Sequence, residues 1–226
     1  MSYFITGTDT GAGKTLVSCA LLRAFAAQGK RAVGFKPVAA GCDAHDHNED
    51  ALLLRAAGNV QAAYGQINPY CFAHAIAPHL AARHAGVRIE FGRIMTSYRE
   101  LAAQADTVIV EGVGGFCVPL NDRQTGADLA VQFGLPVILV VGMRLGCLNH
   151  ALLTLRAIRE YPLECAGWVA NGLDETMPAL QENIDALRER IDAPLLGIIP
   201  RMRAPEASAA ARYLDVKLLE RESSHE

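Results

Sequence analysis

The chain has 226 residues, with 21 Lys and Arg against 24 Asp and Glu, so its formal net charge is −3. Hydrophobic residues make up 51% and charged residues 20%, a balance that builds a sizeable core and excludes a disordered chain. The slight acidic excess argues against a nucleic-acid-binding surface, and no apolar run approaches the roughly 18 residues that a membrane span needs.

The N-terminus and the cysteines indicate a cytoplasmic protein. Residues 1–7 have neither the basic segment nor the apolar segment of a secretory signal. The cysteines form no CxxC pair, so we expect all of them to be reduced thiols. They are Cys19, Cys42, Cys71, Cys117, Cys147 and Cys165.

Short apolar runs alternate with helical patterns along the chain. The runs show little polar alternation, which is typical of strands buried on both faces of a parallel sheet. They cover residues 3–6, 32–35, 107–110, 137–141, 167–170 and 195–199. Apolar spacing predicts helices from Leu16 to before Gly29, over 147–160 and over 177–191. The alternation predicts one α/β doubly wound domain over 1–226, with 219–226 as a frayed tail.

A glycine-rich turn joins the first strand to the first helix. Residues 7–15 read Gly-Thr-Asp-Thr-Gly-Ala-Gly-Lys-Thr, and a strand–turn–helix context is that of a phosphate-binding P-loop. Lys14 can reach the β- and γ-phosphates, and the Thr15 hydroxyl can ligate Mg²⁺. Thr8 stands where GxxxxGK[ST] has its first glycine. A plain turn with an exposed lysine is the alternative, and the Gly-Lys-Thr triplet favours a nucleoside triphosphate site.

One position separates the chain from the partitioning and cell-division ATPases of the P-loop class. Those proteins carry a second lysine five residues before the P-loop lysine, and this chain has Asp9 there. We therefore expect the likeness to that branch to be limited to the fold and the phosphate loop.

Three more charged residues lie near the carboxyl ends of predicted strands or at a helix start. Glu111 ends a buried run and precedes three glycines, which favours a Mg²⁺ ligand over a turn cap. Asp50 opens a helical pattern, where an acidic residue is ordinary, so a cap is the simpler interpretation of that residue alone. Lys36, before Pro37, is either a second cleft lysine or a surface lysine, and the residues leave both open.

Seven segments carry a family resemblance, in order and over nearly the whole chain. They are residues 7–15, 36–39, 48–50, 110–115, 136–142, 145–151 and 167–171, which include Lys-Pro-Val-Ala, Asn-Glu-Asp and Val-Glu-Gly-Val-Gly-Gly. Together they closely resemble the dethiobiotin synthetase family. The imperfect P-loop is that family's own form.

The resemblance implies an ATP-dependent cyclo-ligase that uses Mg²⁺, with ATP and CO₂ as co-substrates. In that family, 7,8-diaminopelargonate takes up CO₂ as a carbamate, ATP converts the carbamate into a carbamic-phosphoric anhydride, and the second amine closes the ring. A nucleotide-sensing module and a related ATP-dependent amidoligase or kinase are the alternatives. The presence of Lys14, Thr15, Asp50 and Glu111 argues against a degenerate sensor.

The resemblance also implies roles for individual residues. Lys36 and Lys14 would be catalytic, and Thr15, Asp50 and Glu111 would hold Mg²⁺. The implied ATP-binding set is Gly11, Ala12, Gly13, Lys14, Thr15, Leu16, Asp50, Glu111, Gly112, Val113, Gly114, Asn171, Gly172, Pro200, Arg201, Met202 and Glu206. The implied substrate set is Thr10, Lys36, Ala40, Gly146, Cys147, Leu148 and Asn149.

The last four residues of the substrate set imply a homodimer. In this family the substrate carboxylate binds across the subunit interface at a helix start, where free N–H groups suit an anion. Two positions depart from the usual pattern. Ala40 stands where many members have Ser or Thr, and Gly11 stands where some have an acidic residue.

Overall fold

The computed structural model of the protein describes residues 1–175 and 177–219. Its strands are β1 (Tyr3–Gly7), β2 (Ala32–Phe35), β3 (Val38–Ala40), β4 (Tyr70–Phe72), β5 (Thr107–Glu111), β6 (Val137–Met143), β7 (Cys165–Gly172) and β8 (Leu195–Ile199). Six of them form a parallel sheet in the order β2-β5-β1-β6-β7-β8, and β3 pairs with β4 in a small second sheet.

Helices connect the strands and cover the sheet. They are α1 (Lys14–Ala27), α2 (Glu49–Ala57), α3 (Tyr64–Ile67), α4 (Pro78–His84), α5 (Phe91–Ala102), α6 (Gly126–Phe133), α7 (Cys147–Arg159), α8 (Leu180–Arg188) and α9 (Ala207–Ala211), with a 3₁₀ helix at Val216–Leu219. The predicted doubly wound α/β fold is thus confirmed.

Neighbouring residues of one strand pack into different cores. On β1, Phe4 packs with Phe133 of α6, whereas Ile5 packs with Val17 and Leu21 of α1. A strand with helices on both faces is apolar at every position, because successive side chains point to opposite sides of the sheet. This burial explains the unbroken apolar runs of the sequence.

Strand and helix ends differ from the sequence prediction in a few places. All six predicted runs are strands of the large sheet, and four of them extend by one to four residues. The helix predicted over 177–191 is shorter, since α8 covers Leu180–Arg188. The sequence also missed β3 and β4, which are three residues each. Leu219, which we assigned to a frayed tail, is buried in the 3₁₀ helix, and 220–226 lie outside the described residues.

The cysteine prediction is wrong for one pair. Cys42 and Cys71 form a disulfide across 29 residues of sequence. The pairing of β3 with β4, which sets Ala39 opposite Cys71, brings the two thiols together, and no local spacing signals it. Cys19, Cys117, Cys147 and Cys165 are free thiols.

The parallel arrangement brings the carboxyl ends of the strands to one edge of the sheet. Ile5 of β1 is in register with Glu111 of β5, and Phe35 of β2 is in register with Val110. Lys36, the residue after β2, therefore lies beside Glu111, and the P-loop follows β1 at the same edge.

Among the residues that the structure describes, no helix has both the length and the apolar character of a membrane span.

Candidate active site

A cavity of about 710 Å³ opens at the carboxyl edge of the sheet. It is lined by eleven of the predicted site residues: Thr10, Gly11, Gly13, Lys14, Thr15, Lys36, Ala40, Asp50, Glu111, Val113 and Gly114. They come from four separate parts of the sequence: the P-loop, the segment after β2, the start of α2 and the turn after β5.

Two carboxylates, a lysine and a hydroxyl form a compact cluster in this cavity. Lys36 Nζ lies 2.6 Å from Glu111 Oε1 and 3.1 Å from Asp50 Oδ2, and it also donates to the Gly112 carbonyl at 3.3 Å. Thr15 Oγ1 lies 2.9 Å from both Asp50 Oδ1 and Glu111 Oε1. The cluster joins β2, β5, α1 and α2, so it exists only in the folded chain.

Burial and charge act in opposite directions on this cluster. Burial alone would lower the pKa of Lys36, but the negative charges of Glu111 and Asp50 outweigh it and raise that pKa above its ordinary value. For Asp50, burial would raise the pKa, and the nearby Lys36 charge and the Thr15 hydroxyl lower it instead. The Lys36 side chain is 4% exposed and that of Glu111 is fully buried, so the pair is an ion pair held away from water.

The P-loop presents its lysine and a helix N-terminus to the same cavity. Gly13 adopts φ +90° as the N-cap of α1, and no side chain caps this helix. Lys14 is buried, and its Nζ donates to the Asp9 carbonyl at 3.2 Å. Burial, helped by the charge of Lys36, lowers the pKa of Lys14 to about 8. A buried cation beside uncapped N–H groups is an arrangement that binds phosphate.

The oxygen atoms of the cluster fit a divalent cation. The Thr15 hydroxyl has one proton, so it donates to only one of the two carboxylate oxygens at 2.9 Å, and the other contact joins two acceptors. Within the described part of the chain, Glu111 Oε2 is buried without a hydrogen-bond partner. The same residues contain no group of three or more His, Cys, Asp or Glu side chains placed so that they could hold a metal ion together. Mg²⁺ typically binds to a few protein oxygens and completes its coordination shell with phosphate and water. This cluster fits that pattern better than it fits a metal site made of protein ligands alone.

A second group of predicted residues lies beside the P-loop, outside this cavity. Asn171 is buried at the end of β7 and donates from Nδ2 to the Ala12 carbonyl at 2.9 Å. Leu16 and Glu206 line a neighbouring pocket of about 310 Å³, which also includes Thr15. Gly112, Gly172, Pro200, Arg201 and Met202 line neither of these two pockets.

The predicted carboxylate-binding residues are likewise absent from the lining of the large cavity. Gly146, with φ +92°, is the N-cap of α7, and no side chain caps this helix. Cys147 is buried, Leu148 is partly buried and Asn149 is exposed. The structure of one chain therefore does not bring these residues to the cavity that holds Lys36.

Sequence reasoning missed seven residues of the cavity lining, which are Ala39, Asn48, the four residues 75–78 and Val118. Asn48 is buried in the cavity wall, where it caps α2 and directs Nδ2 towards the Ala40 carbonyl at 3.5 Å. Its position just before an acidic helix start was a usable N-cap signal. Residues 75–78 form another part of the wall, and nothing in their sequence marks them.

Comparison with known proteins places the chain in a family. A family model described as "AAA domain" matches residues 1–208. The chain is 52% identical over 216 residues to the ATP-dependent dethiobiotin synthetase of Aromatoleum aromaticum, covering 94% of this chain and 96% of that protein. It is 52% identical over 214 residues to the synthetase of Nitrosospira multiformis, covering 95% and 94%. The chain belongs to the ATP-dependent dethiobiotin synthetase family.

Two solved structures with the same fold are less similar in sequence to this chain than those two synthetases are. A ParA family ATPase from Chlorobium tepidum has a TM-score of 0.56 at 14% identity, covering 99% of this chain and 93% of that one. MinD from Pyrococcus horikoshii, complexed with Mg-ADP, has a TM-score of 0.54 at 17% identity, covering 99% and 97%. These similarities show the fold alone. Position 9, which corresponds to the second lysine of the partitioning ATPases, is an aspartate in this chain. Asp9 forms an ion pair with Arg144 at 2.6 Å.

Proposed function

We propose that the protein synthesises dethiobiotin from 7,8-diaminopelargonate, CO₂ and ATP. Relatives that are 52% identical over about 95% of the chain are named for this activity. The observation that carries the proposal is the convergence of Lys14, Thr15, Lys36, Asp50 and Glu111 on one cavity. These groups are what a transfer of phosphate to an anionic acceptor requires.

The P-loop and the turn after β5 would bind the triphosphate. Lys14 and the uncapped N-terminus of α1 supply positive charge to the β- and γ-phosphates. Thr15, Asp50 and Glu111 would hold Mg²⁺, which when bound neutralises phosphate charge. Asn171 donates one N–H to the Ala12 carbonyl, so its other N–H and its side-chain oxygen stay available for the base of ATP. Gly172, residues 200–202 and Glu206 would lie around that base.

The reaction then needs two substitutions. A carbamate oxygen attacks the γ-phosphorus and ADP leaves, so the former carbamate becomes a carbamic-phosphoric anhydride. The second amine attacks the carbonyl carbon, loses a proton and expels phosphate, which closes the ring. Lys36, at the base of the cavity, stabilises the negative oxygens of the acceptor, and Lys14 those of the γ-phosphate. The protein contributes position and charge rather than a nucleophile.

We further propose that the site is shared between two copies of the chain. The N-terminus of α7 has no side-chain cap, which suits a carboxylate, but it does not line the cavity of its own chain. Leu145, just before it, is 95% exposed, as an interface residue is in an isolated subunit. The substrate carboxylate would therefore bind to residues 146–149 of the second copy.

A nucleotide-sensing module remains the competing function. A sensor needs the phosphate loop and the metal ligands but no cation for an acceptor, and Lys36, within 3.1 Å of both carboxylates, also lines the cavity in which an acceptor would bind. The buried lysine therefore favours the ligase.

The deciding experiment measures ATP turnover with Mg²⁺ and bicarbonate, with and without 7,8-diaminopelargonate, and follows the ring-closed product by mass spectrometry. We expect one phosphate released per ring formed, and loss of turnover in Lys36→Ala. Lys217→Ala, which removes an exposed lysine, is the matched control. Nucleotide binding without diamine-dependent turnover would contradict the ligase.

Mixing two inactive variants tests the shared site. Lys36→Ala damages the cavity, and Leu148→Pro removes one N–H from the first turn of α7, where proline is tolerated. If each site uses residues from both copies, mixed dimers contain one intact site and activity returns on mixing. Absence of recovery in mixtures that contain such dimers would contradict the shared site.

A further inference from the structure

Lys36 pairs with two of the three residues that the proposed function assigns to Mg²⁺. Its Nζ lies 2.6 Å from Glu111 Oε1 and 3.1 Å from Asp50 Oδ2. The same ammonium would have to stabilise the acceptor oxygens during the reaction. The single positive charge of Lys36 cannot neutralise two carboxylates and the acceptor oxygens at the same time. We therefore assign its pairing with the carboxylates and its contact with the acceptor to different stages of the reaction.

We propose that Lys36 is a tethered counter-ion that competes with the divalent cation for Asp50 and Glu111, and that binding of the metal–nucleotide complex frees Lys36 for the acceptor. This inference rests on the proposed function and deepens it by giving Lys36 two successive partners: the carboxylates of the free site and then the acceptor.

The backbone of Lys36 is held so that its side chain can exchange partners without moving the chain. Lys36 N donates to the Ile67 carbonyl at 2.8 Å, and its carbonyl accepts from Asn68 Nδ2 at 2.7 Å. Pro37 fixes the next residue. The side chain is nearly fully buried yet lines the cavity, so its head group moves only within the site.

The charges of the free site balance only while Lys36 stays in place. Asp50 and Glu111 carry two negative charges, and Lys36 and Lys14 carry two positive ones. Removing the Lys36 charge leaves two carboxylates around Thr15 with one lysine near them, and Lys14 Nζ donates instead to the Asp9 carbonyl. A pair of under-compensated carboxylates attracts a divalent cation strongly in a site shielded from water.

The fully buried Glu111 carboxylate explains why a tethered cation is needed. Before any metal arrives, a buried carboxylate without a positive partner is costly, because water cannot solvate it. Lys36 provides that partner, and the arriving metal replaces it. The exchange avoids a stage with two unpaired carboxylates.

Mn²⁺ binding to the nucleotide-free protein tests the competition directly. Free Mn²⁺ is counted by electron paramagnetic resonance, without ATP, diamine or turnover. We expect the wild-type protein to bind Mn²⁺ weakly and Lys36→Met to bind it about tenfold more tightly or better. Lys36→Arg, which keeps the charge, should resemble the wild type. Lys36→Met combined with Glu111→Gln should lose the gain.

Two controls keep the test decisive. Lys217→Met removes an exposed lysine and should leave Mn²⁺ affinity unchanged. If Lys36→Met does not fold, Lys36→Gln offers a neutral donor to the same carboxylates and makes the same prediction. Mn²⁺ affinity that does not rise in the folded neutral variant overturns the competition. The proposed ligase activity is judged separately by its ring-closed product, so either idea can fail alone.

Discussion

The amide nitrogen of Asn171 donates to the carbonyl oxygen of Ala12 at 2.9 Å. The contact joins the end of β7 to the P-loop across 159 residues of sequence, and Asn171 is buried. The same side chain packs against Gly13, where a Cβ would collide with its amide nitrogen. Asn171 therefore fixes the phosphate loop in addition to its proposed role at the base.

We predict that Asn171→Ala weakens both the fold and nucleotide binding. The Ala12 carbonyl would lose its partner, which costs about 1–3 kcal/mol of the free energy of unfolding in a buried site. Urea denaturation measures this loss, and calorimetric titration with ATP measures the affinity. Asn183→Ala is the control, because Asn183 makes a similar bond to the Ala179 carbonyl on an exposed helix. Equal effects in the two variants would contradict a special role for Asn171.

ATP affinity should fall as the pH rises above about 8. Burial and the Lys36 charge lower the pKa of Lys14 to about 8, so the free site loses this proton above that pH. Bound phosphates favour the protonated lysine and raise its pKa, so binding takes up a proton and affinity drops by up to about tenfold per pH unit. Calorimetry at pH 8.5 in buffers of different ionisation enthalpy detects the uptake. An arginine at position 14 stays protonated throughout this pH range, so the Lys14→Arg variant should bind ATP without taking up a proton. A flat affinity between pH 7.5 and 9.5 in the wild type would contradict the prediction.

Ala40→Ser should lower the KM for the diamine and leave kcat nearly unchanged. Ala40 lines the cavity, and an added hydroxyl offers a donor where many members of the family have one. One new hydrogen bond of about 0.5–1.5 kcal/mol changes KM by about two- to tenfold. Steady-state kinetics measures both constants, with Ala103→Ser on the exposed end of α5 as control. A raised KM would mean that the wall has no room for the hydroxyl.

The Cys42–Cys71 disulfide should add measurable stability. It closes a loop with a sequence separation of 29 residues, which stabilises the fold by about 3–4 kcal/mol in the chain-entropy account. Urea denaturation should therefore show a lower free energy of unfolding for Cys42→Ser, and for the wild type after reduction. Cys117→Ser removes an exposed free thiol and should change little. A wild-type curve that reductant does not move would contradict the disulfide.

The local signals of the sequence determined most of the fold and part of the site. Apolar runs without alternation predicted the six strands of the large sheet, because strands buried on both faces leave no polar positions. The Gly-Lys-Thr triplet between a strand and a helix predicted the phosphate loop. Both signals lie within a few neighbouring residues, so they can be read without a structure.

Tertiary structure alone decided which distant residues meet. By its neighbours alone Lys36 was as easily a surface lysine, and Asp50 was better explained as a helix cap; the family resemblance assigned both to the site. The fold supplies their distances, because strand register sets Lys36 beside Glu111 and the start of α2 places Asp50 at 3.1 Å from Lys36. The pairing of Cys42 with Cys71 and the tether from Asn171 to Ala12 likewise span 29 and 159 residues. The packing of strands and helices sets such contacts, and it depends on the whole chain rather than on any local pattern. The sequence supplied the residue types, and the packing of the sheet and helices determined the distances between them, their burial and their electrostatic surroundings.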